Sequence, residues 1–579
     1  MIVVLIAVTV GQVYFDVYLP ERTARLFDPD VLGGGASVVL HAGGRMLQYA
    51  AGSLGMAIVG GGMAAYLASK LGRQIRADIF AKVQAFGFEE MNKFSTASLI
   101  TRSTNDIEQV QMVTMMVLRM AVRAPITAVW AIIRINNASW DLTVMTAIAI
   151  SMLAVILILL CIFVLPKFRL IQKLTDKLNA VTRENLTGLR VVKAYNADRY
   201  EQEKFGKVNR ELNRNNFFAN GVMGALMPIL MLVMNGVSLA IFWLGSRLIN
   251  AGEFDPPALM EFSGLITQVL MAFILISMLL VFFPRAQVSA RRIAAVLRTK
   301  AKIIDPVESK AFDESKAGEV VFDNVSFKYP NAEKNVLEGI SFKVTKGQTA
   351  AFIGSTGSGK STLINLVPRF YDVSEGRVTV SGTDVREVKQ EDLRAKIGYV
   401  PQKGVLFGGT VESNIGYGEK VDSGQKAGNQ ELSTENCQLT TIQQAAYVSM
   451  ADEFINELDE RYQSKVSQGG KNFSGGQKQR MSIARAVATK PEIFIFDDSF
   501  SALDYKTDKG VRARLKEYTH GATCLIVAQR IGTIMDADII VVLDEGKPVG
   551  VGTHKELLKS CKVYKEIALS QLSKEELAL

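Results

Sequence analysis

The chain has 579 residues, too many for one hydrophobic core, so at least two domains are expected. Hydrophobic residues make up 48% and charged residues only 21%. The net charge of +9 comes from Lys and Arg gathered between apolar runs, as at a membrane's cytoplasmic face, which argues against nucleic-acid binding. Three histidines (His41, His520, His554) and four scattered cysteines (Cys161, Cys437, Cys524, Cys561) leave little material for a zinc site or a disulfide framework.

Six stretches are apolar enough to cross a bilayer as helices of about 20 residues. They run from Met1 to Leu19, Met46 to Leu71, Val110 to Ile133, Leu142 to Leu165, Met223 to Ile249 and Leu259 to Phe283. The first lacks a basic start and a small-residue cleavage site, so it is a span rather than a signal peptide. It begins abruptly at Met1, so further N-terminal residues in the native protein are also expected. The long connections after spans 2 and 4 are rich in Lys and Arg. They, and the domain after span 6, are therefore expected in the cytoplasm. Leu170, Leu174, Leu178, Val181, Leu186 and Leu189 recur at helical spacing, so the spans should continue as helices beyond the membrane. Asn185 to Gly188 should break that helix in a turn, and Pro284 should end span 6.

The second half reads as a soluble α/β domain. Its strongest signal is Gly354-Ser355-Thr356-Gly357-Ser358-Gly359-Lys360-Ser361, between an apolar strand (Thr349 to Ile353) and a helical pattern opening at Thr362. This is the context of a P-loop. Glycines let backbone N–H groups wrap phosphates, the helix N-terminus favours their charge, Lys360 reaches the β/γ-phosphates and Ser361 binds Mg²⁺. About 120 residues later Ser474, Gly475, Gly476 and Gln477 open another helix, a second N-terminal anion site. Between the two, the polar stretch from Lys420 to Thr440 is expected to be a mobile surface loop before a helix starting at Thr441.

The P-loop followed by Ser474-Gly-Gly-Gln477 resembles the pairing found in ABC proteins, and the six spans resemble an ABC exporter half-transporter. That resemblance implies a six-helix α transmembrane domain (residues 1–300) and an α/β P-loop nucleotide-binding domain (residues 301–579). It implies that Tyr329 stacks on adenine, Gln402 is the Q-loop glutamine, Ile493 to Asp497 is the Walker B strand and Asp504 closes the D-loop. ATP and Mg²⁺ are then the cofactors, with Ser361, Gln402 and Asp497 on the metal. The segments Phe94 to Asp106 and Glu184 to Lys193 resemble the family's two intracellular coupling regions.

Two positions depart from the family. Walker B ordinarily ends in Asp-Glu, and here it reads Asp497-Asp498; the switch histidine is replaced by Gln529. A carboxylate one methylene shorter sits roughly 1 Å back, a misplacement that costs on the order of 10²-fold. Glutamine donates a hydrogen bond but carries no charge and exchanges no proton as imidazole does. With the nucleotide-holding residues and the signature kept, the chain resembles the degenerate-site subunit of bacterial heterodimeric multidrug exporters. Its own site would bind ATP and hydrolyse it poorly, and its signature would complete a partner's competent site. A homodimeric lipid or peptide exporter and an ABC-type channel or regulator are the alternatives.

Polar residues inside spans (Asp16, Arg119, Arg123, Asn235, Glu261, Gln268) are candidates for function, because lipid burial of such groups is costly. Arg119 and Arg123, one helical turn apart, would line an inner cavity with Met115, Met116 and Met120, contacting amphipathic drugs or lipid-like cargo.

Overall fold

The structure, a computed structural model, describes residues 1–136, 140–252, 255–330, 332–418, 435–519 and 521–572. It divides into two compact units: Met1–Gln84 with Ser95–Thr299, and Ala85–Phe94 with Lys300–Leu579.

The first unit is built of long helices: α1 (Ile2–Ala24), α2 (Ala36–Gln84), then, past a short helix α3 (Phe88–Lys93) that belongs to the second unit, α4 (Asn105–Met116), α5 (Val122–Asn136), α6 (Trp140–Thr187), α7 (Asp198–Asn250) and α8 (Pro256–Arg298). Among the described residues, five helical stretches are long and apolar enough to cross a membrane. The fourth expected span lies in α6, where Thr143–Ile156 is apolar. At 1.5 Å per residue the 53 residues of α7 reach about 80 Å, far more than a bilayer of about 30 Å. The spans thus continue as helices outside the lipid.

Three expectations need correction. The helix boundary expected at Pro284 is absent, because α8 runs through it to Arg298, and Pro20, Pro125, Pro166 and Pro228 also lie inside helices. A proline deletes one backbone hydrogen bond, a loss that long membrane helices absorb through their neighbours. The break expected at Asn185 to Gly188 starts late: α6 continues to Thr187, Leu189–Ala194 adds a short helix, and Asn196 takes a left-handed φ of 51° before α7. Residues 420–434 of the polar insertion lie outside the described residues, and the helix that follows starts at Glu435 rather than Thr441.

In the second unit, β1 (Val320–Phe327), β2 (Leu337–Val344), β4 (Glu375–Val380) and β5 (Thr383–Asp384) form an antiparallel sheet ordered β2-β1-β4-β5. The main sheet adds β3 (Thr349–Gly354), β6 (Ile397–Val400), β9 (Ile493–Asp497), β10 (Thr523–Val527), β11 (Ile539–Asp544) and β12 (Lys547–Gly552) in the order β12-β11-β3-β10-β9-β6. A two-residue ribbon pairs β7 (Gly409–Thr410) with β8 (Lys465–Val466). Within the main sheet β6, β9, β10, β3 and β11 are parallel and only the edge pair β11–β12 is antiparallel. Helices cover both faces of such a sheet, which is why β9 (Ile-Phe-Ile-Phe-Asp) is apolar to its last residue and wholly buried.

The helix α3 is the piece of chain that the second unit takes from between the spans. Glu90 shapes it: one carboxylate oxygen accepts from Gly87 N at 2.9 Å, and the other from Lys302 N at 3.1 Å. The Phe88 ring lies 4.6 Å from Phe370 and 6.1 Å from Tyr371 between centroids, and Asn92 donates to the Tyr371 hydroxyl. This seat lies just before the stretch from Phe94 to Asp106 that resembles a coupling region in the sequence. Ser95 caps a helix over Thr96–Ser103 that belongs to the first unit, and Asp106 accepts there from Ser289 at 2.7 Å. If α3 holds this seat in the membrane, Phe88→Cys with Phe370→Cys is expected to crosslink with a short bifunctional thiol reagent; an uncrosslinked band on a denaturing gel would count against the seat.

Candidate nucleotide site

Parallel pairing brings the carboxyl ends of three strands side by side. Val527 at the end of β10 is paired with Asp497 at the end of β9 on one side and with Phe352 in β3 on the other. The loops that leave these ends carry the functional side chains, as expected of open α/β sheets.

The first loop, Gly354 to Lys360, leads into α9 (Lys360–Asn365). Gly359 caps that helix with φ 94°, and a Cβ there would lie 2.7 Å from Leu337 Cδ2. Gly354 passes so close to β11 that a Cβ would sit 2.0 Å from the Leu543 carbonyl oxygen. Lys360 Nζ folds back over this loop, donating to Gly354 O at 2.9 Å and Ser355 O at 2.7 Å. Partial burial lowers the ammonium pKa, and the nearby Asp498 and Asp497 act in the opposite sense.

Ser361 Oγ donates to Asp497 Oδ1 at 2.6 Å, joining the P-loop to the end of β9. Burial raises the Asp497 pKa, and the charge of Asp498 adds to the effect. Asp498 follows with φ 49°, a left-handed turn uncommon for a non-glycine residue. The residue is 6% exposed, and its Oδ2 accepts from Gln529 Nε2 at 2.7 Å and Gln402 Nε2 at 3.2 Å. The two residues that depart from the ABC pattern are thus direct partners, with the expected Q-loop glutamine as the third member.

Tyr329 stands at the other end of the P-loop, its hydroxyl 3.0 Å from Thr362 Oγ1 and its ring edge-to-face with Phe327 and Tyr371. Sequence reasoning passed over Tyr399, which donates to Asn365 Oδ1 at 3.1 Å. Burial, followed by the charge of Asp497, pushes its phenol well above the usual range. The only sign of it in the sequence is its place three residues before Gln402.

The signature residues form a separate cluster. Ser474 caps α10 (Gly475–Ala488) in a reciprocal box: Gln477 N donates to Ser474 Oγ at 3.3 Å and Ser474 N donates to Gln477 Oε1 at 2.9 Å. Among the described residues these side chains share no hydrogen bond with the P-loop of the same chain. Gly476 instead approaches the D-loop, where a Cβ would be 3.5 Å from Ala502 O. Asp504 caps α11 (Tyr505–Tyr518), accepting from Thr507 N at 3.0 Å, and its bonds from Thr507 hold its carboxyl below the usual range.

A family model described as the transmembrane region of ABC transporters matches residues 2–296, and one described as ABC transporter matches residues 337–501. The chain belongs to the ABC transporter family. An uncharacterized ABC transporter ATP-binding protein of Mycobacterium tuberculosis (strain H37Rv) is 38% identical over 558 residues, covering 96% of this chain and 93% of that protein. YfiB, another such protein from Bacillus subtilis (strain 168), is 36% identical over 88% of this chain and 86% of its own length. A solved structure of a bacterial Atm1-family ABC exporter with ATP bound superposes with a TM-score of 0.79 at 23% identity, covering 99% of this chain and 98% of that one, a likeness of fold. This ABC transporter is therefore a multi-pass membrane protein that binds ATP and hydrolyses it to drive transport.

Ser361, Asp497 and Gln402 offer hydroxyl, carboxylate and amide oxygens, the hard donor set that Mg²⁺ takes alongside nucleotide phosphates. The 2.6 Å contact between Ser361 and Asp497 shows that two of these donors converge.

In the transmembrane unit the candidate cavity residues are sorted by their partners. Arg123 forms an ion pair with Asp16 at 2.8 Å, and Asp16 also accepts from Ser53 Oγ at 2.5 Å. Gln268 Nε2 donates to the Asp16 backbone carbonyl. Glu261 pairs with Arg134 at 2.5 Å, which also reaches Glu21 at 3.0 Å. These contacts tie α1 to α2, α5 and α8. A π-turn over Val117–Ala121 separates α4 from α5, so Arg119 and Arg123 are not carried on one uninterrupted α-helix, as their spacing assumed. Arg119 is exposed, and Met116 and Met120 are half-buried.

Gly359→Ala is expected to lower Mg-ATP affinity at least tenfold, because the helix cap must leave its left-handed conformation or strain by about 1–3 kcal/mol. Equilibrium binding of Mg-ATP to the purified chain measures this, with unchanged affinity as the contrary result.

Proposed function

We propose that this chain is one half of an ATP-driven exporter that works as a heterodimer, with its own ATP site degenerate and its signature completing the competent site of a second half-transporter. The observation that carries the reading is the engagement of Asp498 by two side-chain amides. Its Oδ2 takes the amides of both Gln529 and Gln402, and at aspartate length it stands back from where a Walker B glutamate would meet the attacking water. Neither amide can accept and return a proton, so the group has no acid–base relay. The phosphate-holding parts are complete: the glycine loop, Lys360, and Ser361 with Asp497 and Gln402 for Mg²⁺. Tyr329 supplies the aromatic face for adenine. ATP bound here acts as a clamp.

The signature supports the second half of the proposal. Ser474, Gly475, Gly476 and Gln477 present a capped helix N-terminus, suited to the γ-phosphate of a nucleotide held by another subunit. Asp504 fixes the start of the helix after the D-loop, between the two sites. ATP binding closes the paired nucleotide-binding units, α3 and the turn near Leu186 carry that motion to the spans, and hydrolysis at the competent site resets them. The cargo is amphipathic, drug-like or lipid-like, received beside Arg119, Met116 and Met120. The paired Arg123 shapes the wall. The membrane is a bacterial cell membrane with the nucleotide-binding unit on its cytoplasmic side.

The chain purified alone in detergent is expected to release phosphate from Mg-ATP slowly, and Asp498→Glu with Gln529→His to raise that rate at least tenfold. Vigorous hydrolysis by the wild-type chain, unchanged by the double substitution, would overturn the degenerate-site reading. When this chain is paired with a second half-transporter, Ser474→Arg should abolish hydrolysis while Asp498→Asn leaves most of it. The reverse pattern would place the competent site in this chain.

A further inference from the structure

The segment that carries Gln529 runs from the end of β10 at Val527 to Ile531, and a helix holds it from behind. That helix is α12 (Lys562–Gln571). Tyr564 and Ala568 are fully buried in the same apolar cluster as Ala528, Ile531 and Ile534, and the Tyr564 hydroxyl lies 2.7 Å from His554 Nδ1. The helix is thereby fixed against the sheet, and its last residue faces the switch segment. Gln571 Nε2 donates to Gln529 O at 2.8 Å, and Gln571 Oε1 accepts from Ile531 N at 2.8 Å. One side-chain amide thus binds the backbone on both sides of Arg530. From that held backbone the Gln529 side chain reaches Asp498 Oδ2 at 2.7 Å.

We propose that Gln571 is a positioning residue for this nucleotide site: its two bonds fix the backbone of Gln529, so that the Gln529 amide is aimed at Asp498 and at the terminal phosphate of bound ATP. The assignment rests on the reading of this site as one that holds ATP. An amide suits the task because it donates and accepts at once with no charge, which matches a carbonyl and an N–H two residues apart. Its place on a packed helix makes the aim rigid. A loop side chain making the same bonds would leave the switch segment free to drift.

A double-mutant cycle tests it, with equilibrium binding of Mg-ATP to the purified full-length chain as the readout. Gln571→Met keeps the length of the side chain and removes both bonds; Gln571→Ala is the second variant, and the melting temperature of each is recorded. Both are expected to weaken Mg-ATP binding at least about threefold in the wild-type background and to have no further effect once Gln529 is Ala, because residues acting through one another are not additive. Equal losses in the two backgrounds would assign Gln571 a merely structural role and overturn the proposal, as would the absence of any loss. Failure of the wild-type chain to bind Mg-ATP would instead overturn the reading of the site on which the proposal stands.

Discussion

Everything at the nucleotide site depends on the parallel pairing of β3, β10 and β9. Their register puts Phe352, Val527 and Asp497 in one row, and each strand then releases its chain on the same side of the sheet. The strands are buried on both faces, so slipping the register by one residue would turn the charge of Asp497 and the apolar side chains of β9 to the wrong places at once. Short bonds then close the group across elements far apart in sequence. Ser361 joins Asp497, and Asp498 receives Gln402 and Gln529. No single loop could hold these atoms together, because each loop is anchored only where its strand ends.

A second constraint acts on how the chain is divided. The short helix α3 lies between two long helices of the membrane unit, yet it is packed by Phe370, Tyr371 and the backbone of Lys302. Its aromatic anchor and the buried Glu90 make the seat specific. A rim of charges would have allowed sliding. Tyr371 also meets Tyr329 edge-to-face, so the ring beside the P-loop and the anchor of α3 share a neighbour.

Much of this was legible in the sequence for physical reasons. Apolar runs of bilayer length, glycines where φ must be positive and a capping serine followed three residues later by glutamine each have local causes that one stretch of chain reveals. The pairing of Asp498 with Gln529 was not legible, because those residues are 31 positions apart and meet only through the strand register. The bond from Gln571 was hidden for the same reason, and glutamine at the end of a helix carries no pattern. Pro284 misled because a proline halts helices in water, where the freed carbonyl is solvated, whereas a long helix within a bundle passes through it. The seat of α3 was not legible either, because Phe88 meets Phe370 only through the fold and a phenylalanine after glycine carries no pattern.

The ion pair between Asp16 and Arg123 has a consequence for how the protein is made. The first span leaves the ribosome with a carboxylate in its apolar stretch, and the guanidinium that neutralises it follows 107 residues later, in the third span. A lone acid at membrane depth costs about 2.5–3.5 kcal/mol on insertion scales. Until the third span arrives, Ser53 on the second offers the acid a hydrogen bond without a charge. The birth order of the helices thus sets a period in which Asp16 has a hydrogen-bond partner on the second span but no counter-charge, and that counter-charge arrives only with Arg123 on the third.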